Sequence, residues 1–443
     1  MSSSSSNKKV FWKVGSPVPD ELANCADPFS SALVPQMIAW LSVDDERVTL
    51  LEGFSGGSYT PPSLFFSASA IPADFLETLK RTKVCTISSA TVRDPPSSFQ
   101  KAHSWPKPTS HTFAELGLLS SKTKQEYPKV VASSPIHMHC SLENFVELGE
   151  GEEEALVVLV VESFVISGSI LSPPTEEMKK RPNVVAKIDA KLINPVVSLG
   201  GGRTCPLKEI HSMPRPVKSE DGNSWTSTDF DLACPTLGPG NFGSVEWNFR
   251  EHGASSPLGY NAVTALIMPR PIGWISTYHA TEENEKLAHL APYSFFCNVS
   301  RSAQRPMVAF SGYRKDDGTT PKDAQNDAEQ SKCFTYNMVN QSLAVPMNLS
   351  AAELPREGSE FALAGLDVKD ATLIRSPIVE NSPIRFECQY MKSVPIGSFS
   401  IVVGQVLGVG VDQDILTDQN IDPAKLNAIT RMGFMDEYGT LDV

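Results

Sequence analysis

The chain has 443 residues, enough for two or three domains of ordinary size. Its hydrophobic content of 41% and charged content of 20% are typical of a globular protein, which excludes collagen, coiled coil and wholesale disorder. Because 38 lysine and arginine residues face 51 aspartate and glutamate residues, the formal net charge is −13. The sequence therefore predicts binding neither to nucleic acid nor to an anionic membrane surface.

The sequence predicts neither a membrane span nor a targeting segment. The longest apolar run, 155–161, is interrupted by Glu162 and falls far short of the roughly 20 residues that a membrane span needs. The first residues, MSSSSSNKKVFWK, lack the apolar core of a secretory signal and predict a partly disordered lead-in over 1–25. Eight widely spaced cysteines without a C-x-x-C pair indicate reduced thiols and a cytoplasmic protein.

Short segments recur in the same order in the two halves of the chain. PQMIAWLSV, which begins at Pro35, resembles PRPIGWIST, which begins at Pro269. Likewise, SSPIHMHC ending at Cys140 resembles NSPIRFEC ending at Cys388. Three further pairs lie between and beyond these, always in the same order. Collinear matches of this kind predict two copies of one domain.

The repeats divide the chain into a lead-in, two domains and a linker. The segment between the copies is rich in Pro, Gly, Ser and Asp, which predicts an irregular linker. Within each copy, short apolar segments alternate with turn residues, a pattern typical of a mainly β barrel or sandwich, and helices are predicted only at 73–82, 323–332 and 423–431. The predicted divisions are 1–25, 26–204, 205–255 and 256–443.

Three motifs in the C-terminal copy carry a family resemblance. They are PRPIGWIST at 269–277, HLAPYSFFCN at 289–298, and KDAQN at 322–326, which is followed by the FTYNMVN strand. Together they resemble the flavin reductase-like, FMN-binding split-barrel family, whose motifs are P-R-P-I-x-W-x-S-T, N-L-A-P-[FY]-S-[FY]-F-N and K-D-T-x-x-N. This sequence departs from the family pattern at His289 in place of Asn, at the inserted Cys297 and at Ala324 in place of Thr.

The resemblance implies two tandem split barrels that form an intramolecular pseudo-dimer, since family members are usually homodimers with FMN near the subunit interface. Further pairing of whole chains stays open. By the same resemblance the cofactor-binding residues are Arg270, Trp274, Ser276, Thr277, Tyr293, Ser294, Phe295, Phe296, Asn298, Arg314, Lys322, Asp323 and Asn326.

The chemistry of these residues agrees with a flavin site. The FMN phosphate needs cations and hydroxyl or N–H donors, which Arg270, Thr277 and Lys322 can supply. The flat isoalloxazine needs apolar contacts on its faces and backbone donors at its edges, which the loop 293–298 can supply. Because hydride chemistry belongs to the flavin itself, no catalytic side chain is predicted.

The N-terminal copy lacks these residue types. Each missing cation or hydroxyl would cost a charge-assisted contact worth about 1.5–3 kcal/mol, so this copy is predicted to keep the fold without a phosphate site. Arg270, Pro271, Thr277 and Lys322 are replaced there by Gln36, Met37, Val43 and Ala73, respectively.

Several residues also have a structural interpretation. Trp274 has a counterpart in Trp40, which favours a role in the core. Phe295 and Phe296 fit the barrel core as well as they fit a flavin contact. Arg314 and Lys315 fit a solvated turn. His137 and His139 with Cys140 lie on one strand face, where alternate residues always align, so a metal site is disfavoured. The glycine pattern at 238–243 is not flanked by the strand and helix of a dinucleotide fingerprint.

The resemblance implies an oxidoreductase that takes hydride from NADH or NADPH. Its electrons would pass to free flavin, a ferric complex, a quinone or a partner monooxygenase, and the sequence does not choose among these acceptors. The alternative is a non-catalytic carrier or sensor that binds FMN or another planar ligand such as haem. A scaffold without a ligand is a third interpretation, against which the retained cations and hydroxyls argue.

Overall fold

The structure is a computed structural model of the chain. It describes residues 8–25, 27–103, 107–149, 151, 154–180, 184, 186–199, 203–220, 222, 224–230, 240, 242–252, 257–258, 262–280, 286–300, 302, 304–314, 320–433 and 436–443. The mainly β architecture predicted from the sequence is confirmed. Below, the N-terminal half denotes residues 35–199, the C-terminal half denotes residues 269–443, and the leading segments are residues 8–34 and 245–268.

The first leading segment and the N-terminal half contain the following elements. The strands are β1 (Lys9–Lys13), β2 (Gln36–Ser42), β3 (Arg47–Glu52), β4 (Phe54–Tyr59), β5 (Pro62–Ser67), β6 (Val84–Ser89), β7 (His111–Thr112), β8 (Ser120–Ser121), β9 (Val130–Val131), β10 (Ile136–Glu147), β11 (Ala155–Ile166), β12 (Leu171–Ser172), β13 (Lys187–Ile188) and β14 (Val196–Ser198). The helices are α1 (Pro28–Ala32), α2 (Ala73–Thr82), α3 (Pro96–Ala102), α4 (Glu176–Lys179) and α5 (Ala190–Ile193).

The remainder of the chain continues the series. The intervening strands and helices are β15 (Thr204–Ser212), β16 (Val217–Lys218), β17 (Trp225–Thr226), β18 (Val245–Asn248), α6 (Phe249–His252) and α7 (Ala262–Leu266). The C-terminal half contains β19 (Gly273–Ala280), β20 (Lys286–Tyr293), β21 (Phe296–Ser300), β22 (Met307–Tyr313), α8 (Asp323–Ser331), β23 (Cys333–Asn337), α9 (Ala344–Leu349), α10 (Glu360–Leu363), β24 (Val368–Asp370), β25 (Pro377–Val379), β26 (Ile384–Ile396), β27 (Phe399–Asp412), β28 (Leu416–Thr417), β29 (Asn420–Ile421), α11 (Pro423–Leu426), β30 (Ile429–Arg431) and β31 (Glu437–Leu441).

The two halves repeat one antiparallel strand order. In the N-terminal half the order is β3-β2-β6-β10-β11-β5-β4. In the C-terminal half it is β20-β19-β23-β26-β27-β22-β21. Corresponding strands follow the same sequence order, and a helix, α2 or α8, precedes the third strand of each series. The predicted helix at 73–82 is confirmed, and that at 323–332 ends one residue early because Lys332 adopts a left-handed conformation.

The predicted helix at 423–431 is shorter than expected. Helix α11 covers Pro423–Leu426 and begins with Asp422, whose carboxylate accepts the backbone N–H of Ala424 at 3.0 Å. It ends at Asn427, whose φ of 46° is left-handed, a conformation that asparagine tolerates better than most residues. The chain then enters β30, so the second half of the predicted helix is a strand.

The lead-in packs on the half that is distant in sequence. Strand β1 pairs antiparallel with the end of β27. Trp12 and Phe29 are buried in the core of the C-terminal half, and Phe29 lies 5.3 Å from Phe386 between ring centroids. The described part of the predicted lead-in, 8–25, is therefore a structural component of the C-terminal half.

The second leading segment makes the reciprocal arrangement. Strand β18 pairs with the end of β11, which corresponds to β27 in strand order. Phe249, Val263 and Leu266 are buried in a core cluster with β11, and the Phe249 ring lies 5.5 Å from that of Phe164. Each leading segment thus completes the half to which it is not joined directly.

The predicted linker contains regular strands as well as irregular stretches. Strand β15 pairs with β14 on one edge and with β31 on the other, so it joins the sheets of both halves. A buried ion pair between Lys187 and Glu437 links the same two regions. Hence the interval 205–255 contributes strands to both halves, although its composition suggests a loop.

The halves share an extensive apolar interface. Its core cluster includes Phe54 and Phe66 from the N-terminal half and Phe295 and Ile401 from the C-terminal half. The described cysteines are buried and free, in agreement with the predicted reduced thiols, and Cys234 lies outside the described residues. Within the described ranges, no helix is long and apolar enough to cross a membrane.

Replacing Phe29 by alanine tests the exchange of leading segments. Because Phe29 is 1% exposed and packs on Phe386, Phe29→Ala should lower the free energy of unfolding by about 3–5 kcal/mol. Urea denaturation of the full chain measures this change. Val18→Ala, at a position that is 39% exposed, is the control and should stay within about 0.5 kcal/mol. Equal effects of the two variants would contradict the packing of the lead-in.

Candidate functional site

Strands β19 and β20 present two different faces, because neighbouring residues of a strand point to opposite sides of its sheet. One face carries Ile275, Thr277, His289 and Tyr293 and packs beneath α8. The other face carries Trp274 and enters a separate apolar cluster. The motif P-R-P-I-G-W-I-S-T therefore distributes its residues between a possible ligand face and the core.

Trp274 and Ser276 lie on the core face. Trp274 is fully buried, and its indole N–H donates to Ser350 Oγ at 2.8 Å. The Ser276 hydroxyl donates to the Pro377 carbonyl at 2.6 Å and accepts from Asn337 Nδ2 at 3.0 Å. Both polar groups are satisfied inside the protein. The core interpretation of Trp274 therefore fits the structure, and neither residue is available to a cofactor.

Thr277 and Tyr293 on the opposite face carry buried hydroxyls without a partner among the described residues. Thr277 is fully buried, and neither its Oγ1 nor the Tyr293 hydroxyl makes a hydrogen bond. Burial raises the pKa of Tyr293, so the phenol stays protonated and can donate. Gly312 allows its close approach, since a Cβ there would lie 2.7 Å from the Tyr293 ring. Unpartnered buried hydroxyls are uncommon and require an explanation.

The first turn of α8 supplies charges next to this face. Lys322 precedes the helix, and its backbone N–H donates to the Gln325 side chain at 3.2 Å. The Lys322 side chain reaches solvent, although desolvation by the surrounding protein lowers its pKa. Asp323 pairs with Arg356, whereas Asn326 is half-buried and accepts from Gln330 at 3.3 Å. Lys322 and the backbone N–H groups of this turn are suited to an anion.

Arg270 is a buried cation at the other end of β19. It is 2% exposed, donates to Ser294 Oγ at 2.7 Å and also donates to the Met432 carbonyl. Its Nε makes no hydrogen bond, and no described carboxylate forms an ion pair with it. Burial lowers the pKa of Arg270 to about 9, so the guanidinium is still charged at neutral pH. A buried charge without a counter-ion is costly unless a ligand compensates it.

Arg270 and Thr277 cannot contact the same phosphate. Seven residues separate them, which in extended backbone corresponds to about 20 Å. In addition, the Arg270 guanidinium is held near Ser294 and Phe295 rather than near α8. The sequence predicted both residues as phosphate ligands. The structure instead assigns them to opposite ends of any elongated ligand.

The predicted loop residues lie at the interface between the halves. Phe295 packs against Tyr59 with 5.5 Å between ring centroids, and Phe296 stacks on Tyr336 at 4.6 Å. Asn298 is 2% exposed, and its Oδ1 makes no hydrogen bond. It lines a cavity of about 10 Å³ with Gly53 and other residues of both halves, which is about the space for one water molecule.

Arg314 is half-buried, and its Nε donates to Ser400 Oγ at 3.1 Å. Its neighbour Lys315, which the sequence also singled out, lies outside the described residues. The structure therefore places the predicted residues in three groups: the core face of β19, the α8 side, and the interface around Arg270.

A polar cluster behind α8 was not predicted from the sequence. Arg356 donates to Asp327 Oδ1 at 2.6 Å and also pairs with Asp323, so it holds two carboxylates of α8. His289 Nδ1 lies 2.8 Å from Asp327 Oδ2, and the His279 ring stacks on the His289 ring at 5.7 Å. Arg356 is far from α8 in sequence and carries no motif, so no sequence signal identified it.

The corresponding face of the N-terminal half is built differently. Trp40 is fully buried and donates to Asp94 Oδ2 at 3.0 Å, which confirms that this tryptophan is structural. His137 and His139 bind Ser88 and Ser163, respectively, and burial lowers the pKa of each histidine to about 4. Among the residues that the structure describes, no group of His, Cys, Asp and Glu is placed to hold a metal ion. Half of the glycine pattern, 238, 239 and 241, lies outside the described residues.

Comparison with known proteins identifies the family. Residues 265–425 match the sequence profile of the family described as "Flavin reductase like domain". An uncharacterized protein of Deinococcus radiodurans is 35% identical over 182 residues, which cover 40% of this chain and 79% of the relative. The chain belongs to the flavin reductase-like family. A further relative in Aquifex aeolicus, also uncharacterized, is 32% identical and covers 39% of this chain and 86% of its own length.

Solved structures are also similar to this member of the flavin reductase-like family. Nitrilotriacetate monooxygenase component B from Bacillus cereus is 27% identical, with a TM-score of 0.38, and the match covers 41% of this chain and 88% of that protein. Flavoredoxin of Desulfovibrio vulgaris (Miyazaki F) is 17% identical, with a TM-score of 0.36, over 43% and 94% of the two chains. The family predicted from the sequence is confirmed by the profile match and by these relatives.

The donor set of this flavin reductase-like domain fits the cofactor that its family implies. A flavin nucleotide carries an anionic phosphate, for which Lys322, the first turn of α8 and the Thr277 hydroxyl are suitable partners. The Tyr293 hydroxyl and the Arg270 Nε are additional buried donors without a partner among the described residues. The unpartnered groups are therefore those that a bound flavin nucleotide could satisfy.

A matched pair of substitutions on β19 tests the difference between its two faces. Thr277→Val removes an unpartnered hydroxyl and should keep or raise the free energy of unfolding, because a buried unsatisfied polar group costs about 1–3 kcal/mol. Ser276→Ala leaves Asn337 and the Pro377 carbonyl without their partner and should lower it by about 1–3 kcal/mol. Urea denaturation without ligand measures both changes. The reverse order of stabilities would contradict the assignment of the faces.

Proposed function

We propose that this protein binds FMN in its C-terminal half and is an NAD(P)H-dependent flavin reductase-like oxidoreductase. Electrons would pass to free flavin, a ferric complex, a quinone or a partner monooxygenase. Membership in a flavin-related oxidoreductase family supports the reaction class. The choice of FMN, of the nicotinamide donor and of the acceptor is part of the proposal.

The observation that carries the proposal is the unpartnered donor set on the α8 side of β19. Thr277 Oγ1 and the Tyr293 hydroxyl are buried and make no hydrogen bond within the described part of the chain, and Lys322 stands at the adjacent helix start. Apolar side chains would stabilise the fold more at these positions if no ligand bound there, because a buried hydroxyl without a hydrogen-bond partner destabilises a protein interior. A phosphate and ribityl chain would supply acceptors for these donors.

The residues of this chain bind and orient, whereas bound FMN supplies the hydride chemistry. Lys322 and the first turn of α8 attract the phosphate, and Thr277 donates to it. Arg270 places a positive charge beside Ser294 and Phe295, near the other end of the site. The packing of Phe295 against Tyr59 keeps water away from that end. Acceptor specificity would depend on groups around this region.

We also infer that the halves are two copies of one domain, arranged as an intramolecular pseudo-dimer. Two observations support this inference: the shared strand order and the reciprocal packing of the leading segments on β27 and β11. Symmetric exchange of this kind is typical of two-fold assemblies. The N-terminal copy would then wall the flavin site without binding flavin itself, since Gln36 and Val43 replace Arg270 and Thr277.

A visible absorption spectrum and a count of released flavin test the proposed function. We expect one FMN per chain and steady oxidation of NADH or NADPH when an acceptor is added. Two FMN per chain would contradict the interpretation of the N-terminal half. FMN binding without NAD(P)H oxidation would indicate the carrier or sensor alternative, and the absence of flavin binding after incubation with FMN would remove the proposal.

A substitution at Lys322 tests the phosphate assignment. Lys322→Ala should weaken FMN binding by about tenfold or more, because one charge-assisted contact is worth about 1.5–3 kcal/mol. Quenching of flavin fluorescence on titration with protein measures the affinity. Lys101→Ala, on the exposed surface of α3, makes the same change of net charge and should leave the affinity unchanged. An unaltered affinity in Lys322→Ala would remove this residue from the site.

A further inference from the structure

His289 stands where the family motif has asparagine, and the structure gives this histidine two fixed contacts. Its Nδ1 lies 2.8 Å from Asp327 Oδ2, and its Nε2 lies 3.0 Å from the backbone carbonyl oxygen of Arg356. The residue is 3% exposed and Asp327 is 1% exposed, so water does not mediate these contacts. The histidine that replaces the asparagine of the family motif therefore changes the buried interior next to α8 and not the surface of the protein.

The partners determine the protonation of His289. A backbone carbonyl oxygen can only accept a hydrogen bond, so Nε2 must carry a proton. A carboxylate also only accepts, so Nδ1 must carry one as well. Both contacts are satisfied only by the imidazolium form. Asparagine at this position would be neutral at every pH of interest.

We propose that His289, held as an imidazolium between Asp327 and the Arg356 carbonyl, is a positioning residue of the cofactor site that makes FMN affinity depend on pH. This inference rests on the proposed function, because it concerns the binding of the FMN phosphate beside α8. His289 acts through α8 and is not itself a phosphate ligand.

The charged groups around His289 come from every element packed against it. They are Asp327 on α8, Arg356, which pairs with Asp327 and Asp323, Glu360 on α10, and His279 on β19, whose Nδ1 lies 3.2 Å from Asp327 Oδ1. Burial alone would lower the pKa of His289, but the hydrogen bond to Asp327 and the charge of Glu360 raise it above the ordinary value of a histidine. The two contacts of the ring require the imidazolium form, which is lost as the pH rises through the raised pKa.

Asp327 connects His289 to the phosphate side of α8. Asp323 and Asp327 lie one helical turn apart, and Arg356 pairs with both. When His289 loses its proton, Asp327 Oδ2 loses a charged donor, whereas Arg356 still pairs with Oδ1. The buried carboxylate thereby loses part of its charge compensation, which is costly. The first turn of α8 and Lys322 then lose part of the support that holds them in place. Loss of the imidazolium proton also removes one positive charge from the region next to the proposed FMN phosphate position.

The dissociation constants of FMN and riboflavin, measured at about pH 7 and about pH 8.5, test this inference. Riboflavin lacks the phosphate, and the FMN phosphate is already mostly ionised at the lower pH because its second pKa is about 6. For the unaltered chain we expect FMN affinity to fall by about tenfold at the higher pH, as for the loss of one charge-assisted contact, with little change for riboflavin.

His289→Asn, which introduces the residue of the family motif, should bind FMN with nearly equal affinity at both pH values. His111→Asn is the matched control, since it makes the same change on β7 of the N-terminal half and should retain the pH dependence. Lys322 remains in both variants, so its own ionisation cannot produce the difference between them. His289→Gln serves the same purpose if the asparagine variant does not fold.

The outcomes separate the two proposals. FMN binding whose pH dependence persists in His289→Asn, or disappears in His111→Asn instead, overturns the role of His289 and leaves the proposed function intact. Equal pH dependence for riboflavin and FMN also overturns it, because the effect would not involve the phosphate. If neither flavin binds at either pH, the proposed function itself fails, and the role of His289 fails with it.

Discussion

The reciprocal packing of the leading segments is the constraint on which the rest of the structure depends. Each half leaves an apolar strip along its last long strand, β27 or β11, and that strip is covered by a segment that precedes the other half. Without this cover, the strips would present unpaired strand edges and exposed apolar surface, both of which promote aggregation. The two halves therefore form one cooperative unit, and the interface region that contains Arg270 and Phe295 is fixed by both.

Side chains along β19 alternate between two faces, which separates the residues that stabilise the core from those proposed to bind a ligand. Trp274 and Ser276 are committed to the core by hydrogen bonds to Ser350 and Pro377. The intervening Ile275 and the following Thr277 face α8, where Thr277 retains a hydroxyl without a partner among the described residues. A strand repeat of two residues thus lets one short motif supply both a core anchor and a ligand contact.

Charge compensation explains how α8 can be both acidic and suited to a phosphate. Asp323 and Asp327 would repel an anion if they were free, but Arg356 pairs with both and His289 binds the second. Asp327 and His289 are buried, so their pairing is stronger than it would be in water, whereas Arg356 and Asp323 are partly exposed. Lys322 and the helix start can then present a net positive field.

The sequence by itself determined the family, the mainly β fold and the helix at 73–82, because periodicity, turn residues and motif spacing are local properties of the chain. It also named Thr277, Tyr293 and Lys322 as cofactor-binding residues, which stays a prediction. Only the tertiary structure decided that Ser276 is a core residue, that 8–25 belongs with β27, that the interval 205–255 contributes strands, and that Arg356 supports α8. Each of these depends on contacts between residues distant in sequence, whose burial and hydrogen bonds exist only after the two halves have packed together.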